Sequence, residues 1–288
     1  LHSGLNVNVC IKPAKPDQGI IFKRTDLKED NIIKANYKNV SSTKLCTILE
    51  NEKGVKVSTV EHLLAALYIA EIDNAVIEIN NIEVPIMDGS AKDFLAILDS
   101  TELKELNSKR RYLKIISKVE MIDNGRKISI EPLNDSLEVD FQLNYKNKII
   151  GNQKNKINMA YDNLDKMSEA RTFCLYEDIE KLKKIGLGKG GSLENAIVVK
   201  DGTMLNENGL RNKKEFVNHK ILDCMGDLYL VGYRLIGSLN CRHGGHSLTN
   251  KLLRKVFSDN RNYSLLEIKG KSLPHSLINS RHNLKSIA

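Results

Sequence analysis

The stretch Phe216–Tyr229, FVNHKILDCMGDLY, places His219, Asp223 and Asp227 at i, i+4 and i+8. At about 3.6 residues per turn, these three side chains share one stripe of a helix. Val217, Ile221, Cys224, Leu228 and Val231 recur as the apolar set, on roughly the opposite face. The spacing predicts a helix that packs through one side and offers an imidazole and two carboxylates on the other. Alone, such a stripe is more often a solvated polar face. Two further pairs, Glu61-His62 and Gly245-His246, change the balance. Two histidines and an aspartate are a sufficient ligand set for a catalytic zinc, with a fourth position left for water.

Working outward, 288 residues leave room for one large or two medium domains. A hydrophobic content of 41% with 28% charged residues is that of an ordinary soluble globular chain. The net charge of +8 could suit nucleic acid or an anionic substrate. The lysines, however, are scattered among acids, and with no Trp, nine Tyr and six Phe there is little for base stacking, so no nucleic-acid partner is expected. Five widely spaced cysteines (10, 46, 174, 224, 241) with no CxxC argue for a reducing compartment and against a disulfide frame. No apolar run approaches the ~18 residues of a membrane span, and no signal peptide opens the chain. A cytoplasmic protein without stable membrane insertion is expected, working as a monomer.

In chain order, Leu5, Val7, Val9 and Ile11 alternate as a half-buried strand, Pro13–Gly19 turns, and Ile20–Phe22 resumes as strand. Residues 23–44 are polar and give no clear pattern. Leu45–Leu49 and Val55–Val57 read as a hairpin about Asn51–Gly54. A helix opens at Ser58-Thr59-Val60-Glu61 with Val60, Leu63, Leu64 and Leu67 as its apolar set. Ala75–Asn80 reads as strand, Met87-Asp88-Gly89 as turn and Ser90–Leu98 as helix. The charged connector Leu103–Arg111 suggests a boundary between domains 1–108 and 109–288. The second half restarts with strands Tyr112–Ile122 and Arg126–Glu131 joined at Asn124-Gly125, a strong hairpin signal. Strand 137–143, helix Tyr176–Ile185, strand Ala196–Val199, helix 215–232, strand Tyr233–Cys241 and helix Ser247–Phe257 follow.

Each half thus runs several strands, a helix, a strand, a helix. The expected fold class is α+β: two similar domains, each a sheet packed with two helices, and an active site between them. If helices of the two halves face each other, His62 meets His219 and Asp223.

Individual residues allow plainer readings. Ser58-x-x-Glu61 fits a capping box, and His62, off the apolar face, fits a surface histidine. Gly186–Gly191 lacks the Gly-Lys-Ser/Thr ending of a P-loop. His246 could simply precede a helix. Yet the segments Ser58-Thr59-Val60-Glu61-His62-Leu63, Pro85-Ile86-Met87-Asp88-Gly89-Ser90-Ala91, Ala170-Arg171-Thr172-Phe173, Gly190-Gly191-Ser192, His219-Lys220-Ile221-Leu222-Asp223 and Gly245-His246 occur in this order. In that respect, from Leu1 to about Phe257, the chain resembles the bacterial UDP-3-O-acyl-N-acetylglucosamine deacetylases, zinc amidases of the committed step of lipid A synthesis.

The resemblance implies zinc (or iron, which suits a similar ligand set) held by His62, His219 and Asp223, with Glu61 as general base. It implies His246 as charged partner or acid, Asp227 as the group orienting it, and Thr172 as the contact to the oxyanion. Lys220 and Phe173 would meet the acylated UDP-sugar substrate, and a β-α-β insertion near 173–202 would form the passage for its acyl chain. Family members carry a further strand ahead of the Leu1-His2-Ser3-Gly4 segment, so an unpaired edge is expected in the first sheet. His243 stands where they usually carry Lys or Arg. Because the metal ligands do not choose the substrate, a zinc amidase acting on another acylated nucleotide sugar is the alternative.

Overall fold

A computed structural model describes residues 1–268. Residues 269–288, which the sequence reading assigns to the second domain, lie outside the described residues. The chain opens with β1 (Val9–Pro13), β2 (Ile20–Arg24), β3 (Ile32–Lys34) and, after a short 3-10 turn at Tyr37–Asn39, β4 (Val40–Ser42). Then come β5 (Ile48–Glu50), β6 (Lys56–Ser58), α1 (Glu61–Ile69), β7 (Ala75–Ile79) and α2 (Lys92–Asp99). One sheet has the order β1-β7-β2-β3, with β7 antiparallel to β1 and parallel to β2. A second, antiparallel sheet is β4-β5-β6.

The chain continues through β8 (Arg110–Ile115), β9 (Val119–Asp123), β10 (Arg126–Glu131), β11 (Leu137–Asn144), β12 (Asn152–Asn158) and the short α3 (Asp165–Ser168). Next are β13 (Phe173–Leu175), α4 (Tyr176–Lys184), β14 (Ile197–Lys200) and β15 (Thr203–Met204), which form a small sheet of their own with α4 as the β13–β14 connection. The chain then passes through α5 (Glu215–Tyr229), β16 (Arg234–Arg242), α6 (His246–Val256) and β17 (Tyr263–Ile268). β16 is central to the larger sheet, pairing parallel with β11 and β8 and antiparallel with β10. The fold is α+β, with sheet-plus-helix packing in both halves.

Asn124 (φ 51°) and Gly125 (φ 77°) turn β9 into β10 in the left-handed conformations that a two-residue hairpin requires. The expected strand Tyr112–Ile122 is instead broken into β8 and β9. β8 pairs with β17 and β16, its Ile116 amide still bonding the Asn262 carbonyl at 2.8 Å beyond β17, whereas β9 pairs with β10. β12 was not foreseen. Its NQKNKIN sequence is that of an edge strand, held to β11 by Lys154–Asp140 and Lys156–Glu138 pairs across the ladder.

α1 lies against α5, and α6 against α5, β9 and β10. Leu63, Leu64 and Leu67 of α1 are fully buried in one core with Phe22, Ile77 and Ile79 of the first sheet and with Ile221, Leu222 and Met225 of α5. Burial of such side chains contributes about 1.5–3 kcal/mol each. Every α1 residue from Glu61 to Tyr68 is buried, so the helix has no solvent face. The same holds for the polar stripe of α5. His219, Asp223 and Asp227 are at most 5% exposed, which rules out a solvated face.

Candidate active site

The entry to α1 is strained. Thr59 is β-branched yet adopts φ 58°, and its hydroxyl donates to Glu83 Oε1 at 3.0 Å. Glu83 also accepts the His2 and Ser3 amides, at 2.7 and 2.6 Å. This abrupt turn brings Glu61 and His62 into the first turn of the helix, facing α5. Ser58 caps nothing: its hydroxyl donates to the Ile82 carbonyl at 3.2 Å, and α1 has no side-chain cap. The capping-box reading is therefore corrected, as is that of His62 on the surface, since the residue is 4% exposed.

His62 and His219 each bring Nε2 to 3.3 Å from Asp223 Oδ1. The donor atoms of all three residues lie within 4.8 Å of one another. Ligands placed about 2 Å from a tetrahedral zinc stand about 3.3 Å apart, which the two His–Asp spacings match. Asp223 Oδ1 is buried with no hydrogen-bond donor, as expected of an oxygen shaped for a cation rather than for a proton. His219 Nδ1 bonds the Ala170 carbonyl at 3.0 Å, which places its proton there and leaves the Nε2 lone pair for a metal. Burial, together with His62 and Lys220, pushes the His219 pKa down to about 3 against the pull of Asp223, so the ring is neutral, as a ligand must be. Burial opposes charge on Asp223, yet the adjoining imidazoles and the Lys220 ammonium, Nζ 2.9 Å from Oδ2, hold its carboxyl well below the usual range.

Beside this triad lies a second group. His246 opens α6; its Nδ1 is 2.7 Å from Asp227 Oδ2 and its Nε2 3.8 Å from Glu61 Oε1. Burial alone would lower the pKa of His246, but Asp227 and Glu61 overcome it and raise it to about 10. Burial raises that of Glu61, with help from the Asp223 and Asp227 charges and against the pull of His246 and His62.

The remaining sequence candidates are arranged around this centre. Lys220 Nζ lies 5.3 Å from the centroid of the Phe173 ring, which itself packs edge-on against Phe216 and His219. Thr172 is two residues beyond Ala170, with its amide on the Gly89 carbonyl at 2.7 Å and its carbonyl on the Ile197 amide at 2.8 Å. Its hydroxyl is fixed to none of the other site residues among those described. Ahead of it, Arg171 is clamped to buried Glu215 by Nε at 2.8 Å. Thr47 was missed, although its amide donates to Glu61 Oε2 at 3.1 Å and its hydroxyl to Asp227 Oδ1 at 2.6 Å. A lone threonine ahead of a short strand carries no sequence signal.

The sequence, over nearly the whole chain, matches a known group of proteins. The sequence profile of the UDP-3-O-acyl N-acetylglycosamine deacetylase family, LpxC, covers residues 1–258. The chain belongs to this family. Its relatives in the LpxC family include the UDP-3-O-acyl-N-acetylglucosamine deacetylase of Pasteurella multocida, 41% identical over 96% of this chain and 91% of the relative. The Haemophilus ducreyi enzyme of that name is 41% identical over 90% of this chain and 86% of its own length. That of Legionella pneumophila is 42% identical over 89% and 84%. No helix among the described residues is long and apolar enough to cross a membrane.

Proposed function

We propose that this chain hydrolyses the N-acetyl amide of UDP-3-O-acyl-N-acetylglucosamine to acetate and the free amine. The reading is supported chiefly by the convergence of His62, His219 and Asp223 beside Glu61 and His246, within a family whose members are named for this reaction. His62, His219 and Asp223 would hold zinc, with iron an alternative occupant. When bound, that ion would lower the pKa of water towards about 7 and polarise the amide carbonyl.

The residues of the chain do the rest. Glu61, its Oε2 held by the Thr47 amide, turns Oε1 towards His246 and takes a proton from the attacking water. The Thr172 hydroxyl donates to the oxyanion that develops at the carbonyl. His246, protonated and held by Asp227, gives its proton to the departing amine. Lys220 meets the diphosphate side of the substrate, and Phe173, beside it, also contacts the substrate. The β13-α4-β14 segment borders the acyl chain. In this reading the site lies between two domains with their boundary near 108/109, and the protein works as a cytoplasmic monomer.

The direct test is acetate release from UDP-3-O-acyl-N-acetylglucosamine, before and after chelation and with zinc restored. Release that stops on chelation and returns with zinc is expected. A folded, metal-bound protein that releases none would move the reaction to another acylated nucleotide sugar.

The His246–Asp227 pair also sets a pH expectation. Since the folded pKa of His246 is raised to about 10, above the ordinary 6.5, its proton contributes stability fully present below pH 6.5 and lost as pH rises through about 10. Activity that needs this proton falls over the same alkaline window. Asp227→Asn removes the charge that raises it, so the alkaline limb of kcat/KM is expected to move down by a pH unit or more. An unmoved limb would assign it to a different group.

A further inference from the structure

Among the described residues outside the metal triad and the relay, Thr47 bonds both carboxylates of the acid–base apparatus, one through its amide and one through its hydroxyl. Thr47 immediately precedes β5, and the β5–β6 register, Ile48 opposite Ser58, sets it beside Thr59 at the mouth of α1. It is 1% exposed. Its amide donates to Glu61 Oε2 on α1, and its hydroxyl donates to Asp227 Oδ1 on α5, 180 positions away in sequence. Thr47 thus holds one oxygen of each carboxylate. With Oε2 held, Glu61 presents Oε1 to His246, and with Oδ1 held, Asp227 presents Oδ2 to Nδ1 of the same ring.

We propose that Thr47 is a positioning residue for the hydrolysis, whose amide fixes the proton-accepting face of Glu61 and whose hydroxyl fixes Asp227 against His246. The inference rests on the roles given above to Glu61, Asp227 and His246. With Oδ1 taken by the Thr47 hydroxyl, Oδ2 of Asp227 stays aimed at Nδ1 of His246. His246 is faced by Asp227 and Asp223 from α5 and by Glu61 from α1, and of these only Asp227 is within hydrogen-bond reach. Anything that loosens Asp227 therefore falls mainly on His246. The two contacts can be separated, because valine has the shape of threonine and keeps the amide, so Thr47→Val removes the hydroxyl contact alone.

The experiment compares wild type, Thr47→Val and Thr47→Ser in the zinc-loaded protein for kcat, KM, metal content and pH profile. It also follows the His246 imidazole of each by NMR titration of the metal-free protein. Thr47→Val is expected to lower kcat roughly ten- to hundredfold, the range for losing a hydrogen bond to a charged group. KM should stay within about twofold and zinc content at one per chain, and both the alkaline limb and the His246 midpoint should move down. Thr47→Ser is expected to restore kcat to within about threefold. A valine variant with wild-type kcat and an unmoved His246 midpoint overturns the proposal. So does a folded serine variant as impaired as the valine one. If wild type releases no acetate, it is the deacetylase reading that fails, and the His246 midpoints still decide whether the Thr47 hydroxyl holds Asp227.

Discussion

Replacing Glu61 by glutamine is expected to leave the metal in place and cut turnover by roughly 10²–10⁴-fold, the usual worth of a positioned general base. The substitution keeps the side chain's shape, and the glutamine oxygen can still accept the Thr47 amide that now holds Oε2. What it loses is the ability to take a proton. Glu61 is not among the three convergent donors, so zinc content should match wild type. Stability should hold or rise, because burial disfavours charge at this position, as the raised pKa reflects. Zinc content, thermal melting and acetate release, measured on the same preparation, separate the possible roles. Near-normal turnover would reduce Glu61 to a packing role, and lost zinc would make it a ligand.

Gly226→Ala is expected to damage packing and site together. Gly226 lies on the face of α5 that meets α1, and a Cβ there would run into the backbone carbonyl of Glu61. The obstacle is backbone, so no rotamer change can relieve it, and the two helices must separate. Overpacking of this kind costs about 1–3 kcal/mol, against which alanine's better helix propensity returns up to about 1 kcal/mol. The functional loss is larger. Separation carries Glu61 and His62 away from His219 and Asp223 together, and a displacement of about 1 Å can cost 10²-fold in rate. A lower melting temperature, weaker zinc retention and at least a hundredfold loss of turnover are expected. Unchanged zinc affinity and rate would mean that α1 can shift without disturbing the site.

How much of this was legible in the sequence depended on the kind of signal. α5 was readable because His219, Asp223 and Asp227 recur at a helical interval against a clear apolar set. α1 was located by its apolar run, but the face opposite Val60, Leu63, Leu64 and Leu67 is buried too, so His62 could not be told from a surface histidine by periodicity. There the local capping pattern at Ser58 pointed the wrong way. The strained Thr59 turn, which is what aims Glu61 inward, depends on Glu83 and has no local signature. β12 was hidden because an edge strand tolerates the lysines and asparagines of a loop. Thr47 was invisible, because its meaning lies wholly in partners brought to it by the fold. The motif order, by contrast, gathered residues that periodicity could not join.

The central place of β16 sets the order in which the larger sheet can assemble. This strand pairs with β8, β10 and β11, yet it is the last of these four to be made. β11 ends at Asn144 and β16 begins at Arg234. At a synthesis rate of about 5–20 residues per second, the earlier strands wait on the order of 5–20 s for the neighbour that joins them. During that time Val139 and Phe141 of β11 lack their register partners Leu239 and Cys241 on β16. The nascent chain is most exposed to misassociation over residues 110–158, and the lysines of β12 give that waiting segment a charged, aggregation-resistant edge.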